Sequence, residues 1–264
     1  MRSLWRTAAK LLGVYKLYEY LLEREVQRAP VPAHIAFILD GNRRWARERG
    51  LPPTAGHRWG ARRVEEVLKW CYDLGVRTVT LYVLSTENLA RRSKEELENI
   101  FEILSEKLDE VMSSEELSKR KVRVKVIGDR SLLPPHIVSK IEQLEEKTRG
   151  HRERFLNLAL AYGGRREIVD AVRRIVQDAL SGRLDPESLD EKIFGKYLYT
   201  GDQPYPEPDV VIRTSGEMRI SNFLLWQIAY SELVFLDVYW PDFRRIDLLR
   251  AIRLYQRRKR RFGG

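Results

Sequence analysis

The sequence predicts an α/β fold: a single domain with a mostly parallel six-stranded sheet flanked by helices. Six short apolar runs alternate with longer stretches of helical periodicity. The apolar runs are nearly continuous, as in strands covered on both faces, rather than polar at every second position. Glycine, arginine and carboxylate residues follow several of the runs, where a parallel sheet brings its strand ends to one rim.

Residues 1–30 read as an N-terminal helix and 31–264 as the globular domain. Leu4, Ala8, Leu11, Tyr15, Tyr18, Leu22 and Val26 recur at helical spacing. Arg2, Arg6, Lys10, Lys16 and Trp5 stand towards the front of this stretch. Such a helix can lie on an anionic membrane surface, pack on the protein's own body, or meet a second subunit. Pro30 and Pro32 end it and lead into the first strand. Strands are predicted at 34–40, 77–85, 121–128, 154–162, 209–214 and 233–239. Helices are predicted at 58–74, 93–113, 135–149, 165–181, 187–198, 221–231 and 245–261. Residues 200–208, with three prolines, read as an irregular loop.

The chain of 264 residues is long enough for one sizeable core, and its 43% hydrophobic content is ordinary for a globular protein. A net charge of +10 implies anionic partners: nucleic acid, acidic lipid or phosphorylated metabolites. Cys71 is the lone cysteine, which excludes an intrachain disulfide and points to a reducing compartment, the cytoplasm. No run is apolar enough to span a bilayer. Asn and Gln are scarce beside Glu, Lys and Arg, a balance that suits heat-adapted proteins.

Four strand ends carry the chemistry. Asp40-Gly41-Asn42-Arg43-Arg44-Trp45 follows the first strand, and Ser85-Thr86-Glu87-Asn88 the second. Tyr162-Gly163-Gly164-Arg165 follows the fourth, and Arg213-Thr214-Ser215-Gly216-Glu217 the fifth. One carboxylate beside two guanidinium groups suits a metal ion bridging to a diphosphate. Arg44, Arg91, Arg213 and Arg219 offer planar forks for phosphate oxygens. Gly41, Gly56 and Gly216 allow backbone to approach a ligand. Gly56-His57 is expected to open one helix and Ser221 to cap another, placing two positive helix ends near the anion. The bland alternative for His57 is a structural hydrogen bond, and for Glu232 a carboxylate at a helix end. A hard cation on Asp40 and Glu232 fits Mg²⁺ better than zinc, because the four histidines have no zinc-ligand spacing. The chain has no GxGxxG, no phosphate-binding GxxxxGK[ST] loop and no Gly-x-Ser-x-Gly elbow.

Together the stretches HIAFILDGNRRWA (34–46), Gly56-His57, LYVLSTEN (81–88), NLALAYGGR (157–165), DVVIRTSGEMRISNFLLWQIAYSELVFLDVYWPDF (209–243) and RRFGG (260–264) resemble the cis-prenyltransferase family, the undecaprenyl and dehydrodolichyl diphosphate synthases. The resemblance covers nearly everything from residue 34 onward, so 31–264 is expected to be the catalytic domain. It implies repeated addition of isopentenyl diphosphate to an allylic diphosphate primer with Mg²⁺. The expected product is a long polyprenyl diphosphate, precursor of a glycosyl carrier lipid such as dolichol.

By the same resemblance Asp40 supports the metal and diphosphate departure, with Glu232 contributing to the metal site. Gly41, Asn42, Arg43 and Arg44 surround the primer diphosphate, His57 contacts it, and Trp45 packs beside the primer. Ser85, Thr86, Glu87, Asn88, Leu89 and Arg91 match a mobile segment that closes over the site. Arg213, Arg219, Ile220 and Ser221 match the isopentenyl diphosphate clamp. Arg261-Phe262-Gly263 resembles a C-terminal motif that reaches across a homodimer. Asn88 holds a catalytic position, yet a carboxamide is a very poor base, so substrate orientation suits it better.

Leu89 replaces an aromatic, Arg92 a proline, Pro53 an arginine and Arg43 a small residue of the common bacterial pattern. These departures resemble the archaeal and dolichol-type branch, which accepts geranylgeranyl as well as farnesyl diphosphate. A long product needs an apolar product tunnel, for which Leu97, Phe101, Leu104, Leu108 and Val111 form a helical stripe that also reads as plain core. A membrane-peripheral location would bring such a tunnel near its product's destination. Two rivals stand beside the enzyme: a non-catalytic partner subunit of a heteromeric transferase, and a nucleic-acid-binding protein. The retained Asp40 and Asn42 argue against the first. Against the second, the charge is scattered, so no nucleic acid is expected.

Overall fold

The structure, a computed structural model, describes residues 13–258. A helix α1 (Val14–Val26) precedes strand β1 (His34–Ile38). The short α2 (Asn42–Arg47) and long α3 (Pro53–Asp73) lead to β2 (Thr78–Ser85). Next come α4 (Thr86–Arg91), α5 (Lys94–Ser113), the single turn α6 (Glu116–Lys119) and β3 (Val122–Ile127). Helix α7 (Pro135–Thr148), β4 (Arg154–Tyr162), α8 (Gly164–Leu180) and α9 (Glu191–Tyr197) follow. Strands β5 (Val210–Arg213) and β6 (Glu232–Phe235) and helix α10 (Arg245–Arg257) complete the described chain.

The six strands form one sheet in the order β3-β4-β2-β1-β5-β6, and every neighbouring pair is parallel. Strand β1 lies in the middle and alternates its side chains between two cores. Ile35 and Phe37 enter the larger core with residues of α3, α7 and α10, while Ala36 and Ile38 enter a second core with Tyr82, Tyr162 and Phe223. Burial on both faces explains the unbroken apolar runs of the sequence.

Several boundaries differ from the sequence expectation, each for a local reason. Strand β1 stops at Ile38 because the Asp40 N–H turns back onto the Ile38 carbonyl at 2.9 Å. Helix α3 starts at Pro53, the first-turn position proline favours, so Gly56 and His57 lie one turn inside it and do not open it. A Cβ on Gly56 would lie 2.1 Å from the Asn42 carbonyl oxygen. That glycine therefore admits α2, not a ligand. The stretch 187–198 becomes a 3₁₀ turn at Pro186–Ser188 and α9, restarted by Asp190, whose Oδ1 accepts the Ile193 N–H at 2.6 Å.

Residues 221–231 form turns, not a helix. Ser221 (φ 50°), Asn222 (φ 62°) and Leu224 (φ 43°) occupy the left-handed region, which no right-handed helix can absorb. Ser221 consequently caps no helix.

The C-terminal half of α1 packs on the protein itself. Leu22 and Val26 are buried, and Glu23 pairs with Arg245 of α10 while Glu25 pairs with Arg253 and Arg257. Val14, Leu17 and Leu21 remain exposed. The expected positions Leu4, Trp5, Ala8 and Leu11 lie outside the described residues. No helix among the described residues is long and apolar enough to cross a membrane.

Candidate active site

A parallel sheet points all its strand ends the same way, and here the ends of β1, β2 and β5 open into one cavity of about 1040 Å³. One end of this cavity is polar and rich in arginine; the remainder is apolar apart from Lys107 and Glu65.

Asp40 is the centre of the polar end. Its carboxylate accepts from Arg213 Nη2 at 2.7 Å and from Arg44 Nη2 at 3.2 Å. Its backbone is fixed as well: the Asp40 N–H donates to Thr214 Oγ1 at 3.1 Å, and the Thr214 hydroxyl and the Trp240 N–H donate to the Asp40 carbonyl. Burial opposes ionisation of Asp40, but the two guanidinium groups outweigh it and hold the carboxyl below its ordinary value of 3.8. Gly41, at φ 105°, turns the chain where a Cβ would strike the Tyr239 ring at 2.7 Å. This is a fold requirement that only glycine meets.

Arg213, at the end of β5, is almost wholly buried yet charged. It donates to Asp40, to Ser221 Oγ at 2.7 Å and to the Arg219 carbonyl, so it shapes the turn that carries Arg219 and Ser221. Its Nε has no partner. Arg44 reaches from α2 to Ser215 Oγ at 2.6 Å and Glu217 Oε1 at 3.0 Å. Glu217 also pairs with Arg219 at 2.6 Å, so one carboxylate holds two arginines that line the cavity.

The other wall comes from α2, α3, the end of β2 and α4. Asn42, Arg43, His57, Ser85, Glu87, Asn88 and Arg91 all line the cavity, as the sequence analysis expected. Ser85 Oγ caps α4 by accepting the Asn88 N–H at 3.0 Å. His57 Nε2 contacts Glu96 Oε1 at 3.2 Å. Burial, helped by the neighbouring Arg92, pushes the His57 pKa below its ordinary value of 6.5, so the ring is neutral at pH 7.

Arg92 and Glu96 are site residues that sequence reading missed. Arg92 lines the cavity and its Nε faces Glu96 Oε1 at 3.5 Å; Glu96 also faces Arg43 at 3.7 Å and His57. Their four-residue separation gave little signal, because Arg92 is extended and stands before α5 rather than on its face. Thr214 and Glu217 were visible only as parts of a polar stretch.

Other expected residues lie elsewhere. Trp45 is buried away from the cavity: its ring packs on Trp59 at 5.9 Å, and its N–H donates to Asp242 at 2.9 Å. Ile220 packs on the second core and Leu89 on the first. Thr86 does not line the cavity; its hydroxyl contacts Glu87. Glu232 is the largest correction. It opens β6 in register with Val210, which pairs with Ile35 near the start of β1. Asp40 lies five residues further along, roughly 16 Å at strand rise, so the two carboxylates cannot share a cation within one chain. Glu232 instead pairs with Arg258. Arg261 and Gly263 fall outside the described residues.

No group of three or more His, Cys, Asp or Glu that could hold a metal occurs among the described residues. Asp40 nevertheless fits a hard divalent ion as its one protein carboxylate, provided that phosphate oxygens and water complete the shell. Beyond the polar end the cavity runs between α3, α5 and the sheet. Val64 and Leu68, then Ile100, Leu104, Leu108 and Val111, then Leu81, Val124, Leu144 and Leu156 line it. Leu104, Leu108 and Val111 of the predicted stripe are thus tunnel wall; Leu97 and Phe101 are not among the lining residues.

Known proteins with this architecture can be compared directly. The family model Prenyltransf, described as "Putative undecaprenyl diphosphate synthase", matches residues 38–263. The tritrans,polycis-undecaprenyl-diphosphate synthase (geranylgeranyl-diphosphate specific) of Methanopyrus kandleri is 56% identical over 253 residues, 96% of this chain and 92% of that protein. The Pyrococcus furiosus protein of the same name is 51% identical over 249 residues, 94% of this chain and 93% of its own. The crystal structure of lavandulyl diphosphate synthase from Lavandula x intermedia with dimethylallyl diphosphate superposes with a TM-score of 0.84 at 36% identity, covering 89% of this chain and 99% of that one. That of a probable undecaprenyl diphosphate synthase from Campylobacter jejuni gives 0.71 at 31% identity, over 89% of this chain and 100% of the other. By sequence and by fold alike, this chain belongs to the undecaprenyl diphosphate synthase family and is a prenyltransferase.

Proposed function

We propose that the protein elongates a prenyl chain with cis stereochemistry, condensing isopentenyl diphosphate repeatedly onto geranylgeranyl or farnesyl diphosphate. The product is a long polyprenyl diphosphate that serves as precursor of a glycosyl carrier lipid. One observation carries this reading: a single cavity joins an arginine-lined end to a long apolar bore. A diphosphate head suits the first, and a growing hydrocarbon tail the second. The names of the archaeal relatives support the geranylgeranyl primer.

In each cycle the primer C1–O bond breaks as C1 bonds to the isopentenyl double bond, diphosphate leaves, and one proton is lost from the resulting cation. Negative charge grows on the departing group. Arg43 and Arg44 stand ready to receive it, with His57 lining the same end of the cavity. Asp40 is kept ionised by Arg44 and Arg213 and would hold Mg²⁺ together with the diphosphate oxygens. Bound there, the ion would supply positive charge against the leaving group. Arg213, Arg219 and Ser221 clamp the isopentenyl diphosphate. Asn88 orients the reacting carbons, while a diphosphate oxygen takes the proton. An Asn88→Asp variant that regains activity with a new basic limb in its pH profile would overturn that role for Asn88.

A homodimer and a peripheral membrane contact belong to the same reading. The exposed Val169, Val172 and Val176 and Leu180 form a stripe along α8 suited to a second copy. Val14, Leu17 and Leu21 of α1 offer an apolar face to lipid. Deleting residues 1–28 should weaken liposome binding, although it also strips Leu22 and Val26 from the core, so the melting temperature must be followed.

The deciding experiment incubates the purified protein with labelled isopentenyl diphosphate, Mg²⁺ and geranyl, farnesyl or geranylgeranyl diphosphate, with and without EDTA. Butanol-extractable label that requires primer and metal supports the reading. No incorporation with any primer overturns it.

A further inference from the structure

The segment between β5 and β6 holds a backbone that costs free energy to keep. Ser215 (φ 76°), Ser221 (φ 50°), Asn222 (φ 62°) and Leu224 (φ 43°) are all left-handed. Part of the cost has a structural return. Leu224 is fully buried, and Phe223 stacks on Tyr82 with ring centroids 4.5 Å apart. The conformation of Asn222 turns its carbonyl and both ends of its side-chain amide towards other segments. Its carbonyl accepts the Gly164 N–H at 2.7 Å, and its Oδ1 accepts the Arg165 N–H at 2.9 Å, so it caps α8 from a distance. Its Nδ2 donates to Glu87 Oε1 of α4 at 2.8 Å.

The three segments meet closely. A Cβ on Gly163 would lie 2.8 Å from both Asn222 Nδ2 and Thr86 Oγ1. Asn222 adjoins Ser221, which accepts from Arg213, while Glu87 adjoins Asn88 in a helix of six residues whose Asn88 and Arg91 line the cavity.

We propose that Asn222 is a positioning residue that couples the two substrate sites. Through Glu87 it ties the α4 segment to the turn that carries Arg219 and Ser221. The inference rests on the function proposed above. An anion seated on the turn fixes Asn222 and so holds α4 in place; an allylic diphosphate bound against Asn88 and Arg91 fixes α4 and, through Glu87, the turn in return. Coupling of this kind is reciprocal: each ligand raises the affinity of the other by the same factor.

The test is calorimetry on the full chain with isopentenyl diphosphate and a non-reactive allylic thiolodiphosphate, each alone and then together. Wild-type protein should show mutual tightening of about fivefold or more, the usual lower range for linked sites. Asn222→Asp retains the acceptor for the Arg165 N–H and tolerates the left-handed backbone, but sets a carboxylate against Glu87. It should abolish the mutual tightening; because Asn222 itself lines the cavity, the new carboxylate also weakens each ligand bound alone, and the coupling factor is read relative to those single-ligand affinities. Combining it with Glu87→Gln reverses donor and acceptor across the same gap and should restore the coupling. Coupling that survives Asn222→Asp overturns the proposal, as does a loss that the paired variant does not repair. If both ligands bind the wild type independently, this inference fails and the proposed function stands. If neither binds, the proposed function fails first.

Discussion

At the scale of single residues, Asp40 carries the most weight. Its carboxylate accepts from two arginines, Arg213 and Arg44, at the polar end of the cavity. Asp40→Ala removes a preorganised charge and should lower turnover by roughly two to four orders of magnitude without unfolding the chain. Near wild-type turnover, measured beside a thermal melt, would remove Asp40 from the site. Because Asp40 stays ionised below its ordinary value, its protonation should not limit the rate at any pH above about 4. His34 behaves in the opposite sense to a charged histidine. Its ring is wholly buried, with Nε2 on Thr80 Oγ1 at 2.8 Å. Burial lowers its pKa to about 4, although Asp209 and the Tyr205 and Glu207 carbonyls pull the other way. A depressed pKa stabilises the fold above the unfolded-state value, about 6.5, and that contribution is lost as pH falls towards 4. The loss amounts to about 3 kcal/mol. Denaturant titrations between pH 6.5 and 4 should show this slope in the wild type and a shallower one in His34→Gln. Equal slopes would refute the assignment.

At the scale of elements, close approach decides more than propensity. Helix α3 can lie on α2 only because Gly56 has no side chain, since a Cβ would sit 2.1 Å from the Asn42 oxygen. Gly56→Ala should therefore cost about 1–3 kcal/mol, as overpacking does, and displace Asn42 from the cavity. Gly195→Ala in α9 meets nothing within 4 Å and should be neutral or mildly stabilising. Guanidinium chloride midpoints for the two variants make the comparison, and equal midpoints would refute it. The same physics governs what the sequence could reveal. The strands were legible because burial on both faces leaves an unbroken apolar run. The Arg213–Glu217 and Asp40–Arg44 stretches were legible because strand ends share a rim. The turns at 221–231 were hidden because their apolar spacing suits a helix, and only the left-handed Ser221, Asn222 and Leu224 forbid it. Glu232 was misplaced because a motif in one dimension does not say which end of a strand it occupies. Arg92 and Glu96 were missed because their cluster with Arg43 and His57 forms across three helices.

At the scale of the whole molecule, the sheet separates two environments. Charged groups gather at the strand ends, while the bore between α3, α5 and the sheet stays apolar except where Lys107 pairs with Glu65 at 2.7 Å. On the proposed reading the volume of this bore sets product length. Leu156→Trp fills part of it from β4 and should shift products to shorter chains with little change in the first condensation. Chromatography of the extracted polyprenols measures this, and an unchanged distribution would place the limit elsewhere. Helix α1 is fastened to α10 by ion pairs of Glu23 and Glu25 with three arginines, which should loosen with salt.

The apolar bore also sets a clock. Each added unit brings five carbons out of water, worth about 4 kcal/mol at the usual value per carbon. Escape of an intermediate thus slows by roughly a thousandfold with every cycle, since each 1.4 kcal/mol is a factor of ten. On the proposed reading elongation is processive for as long as the bore has room, the chain being held by the aversion of hydrocarbon to water. Once it is full, the next unit gains nothing from burial, residence time stops growing, and release competes with addition.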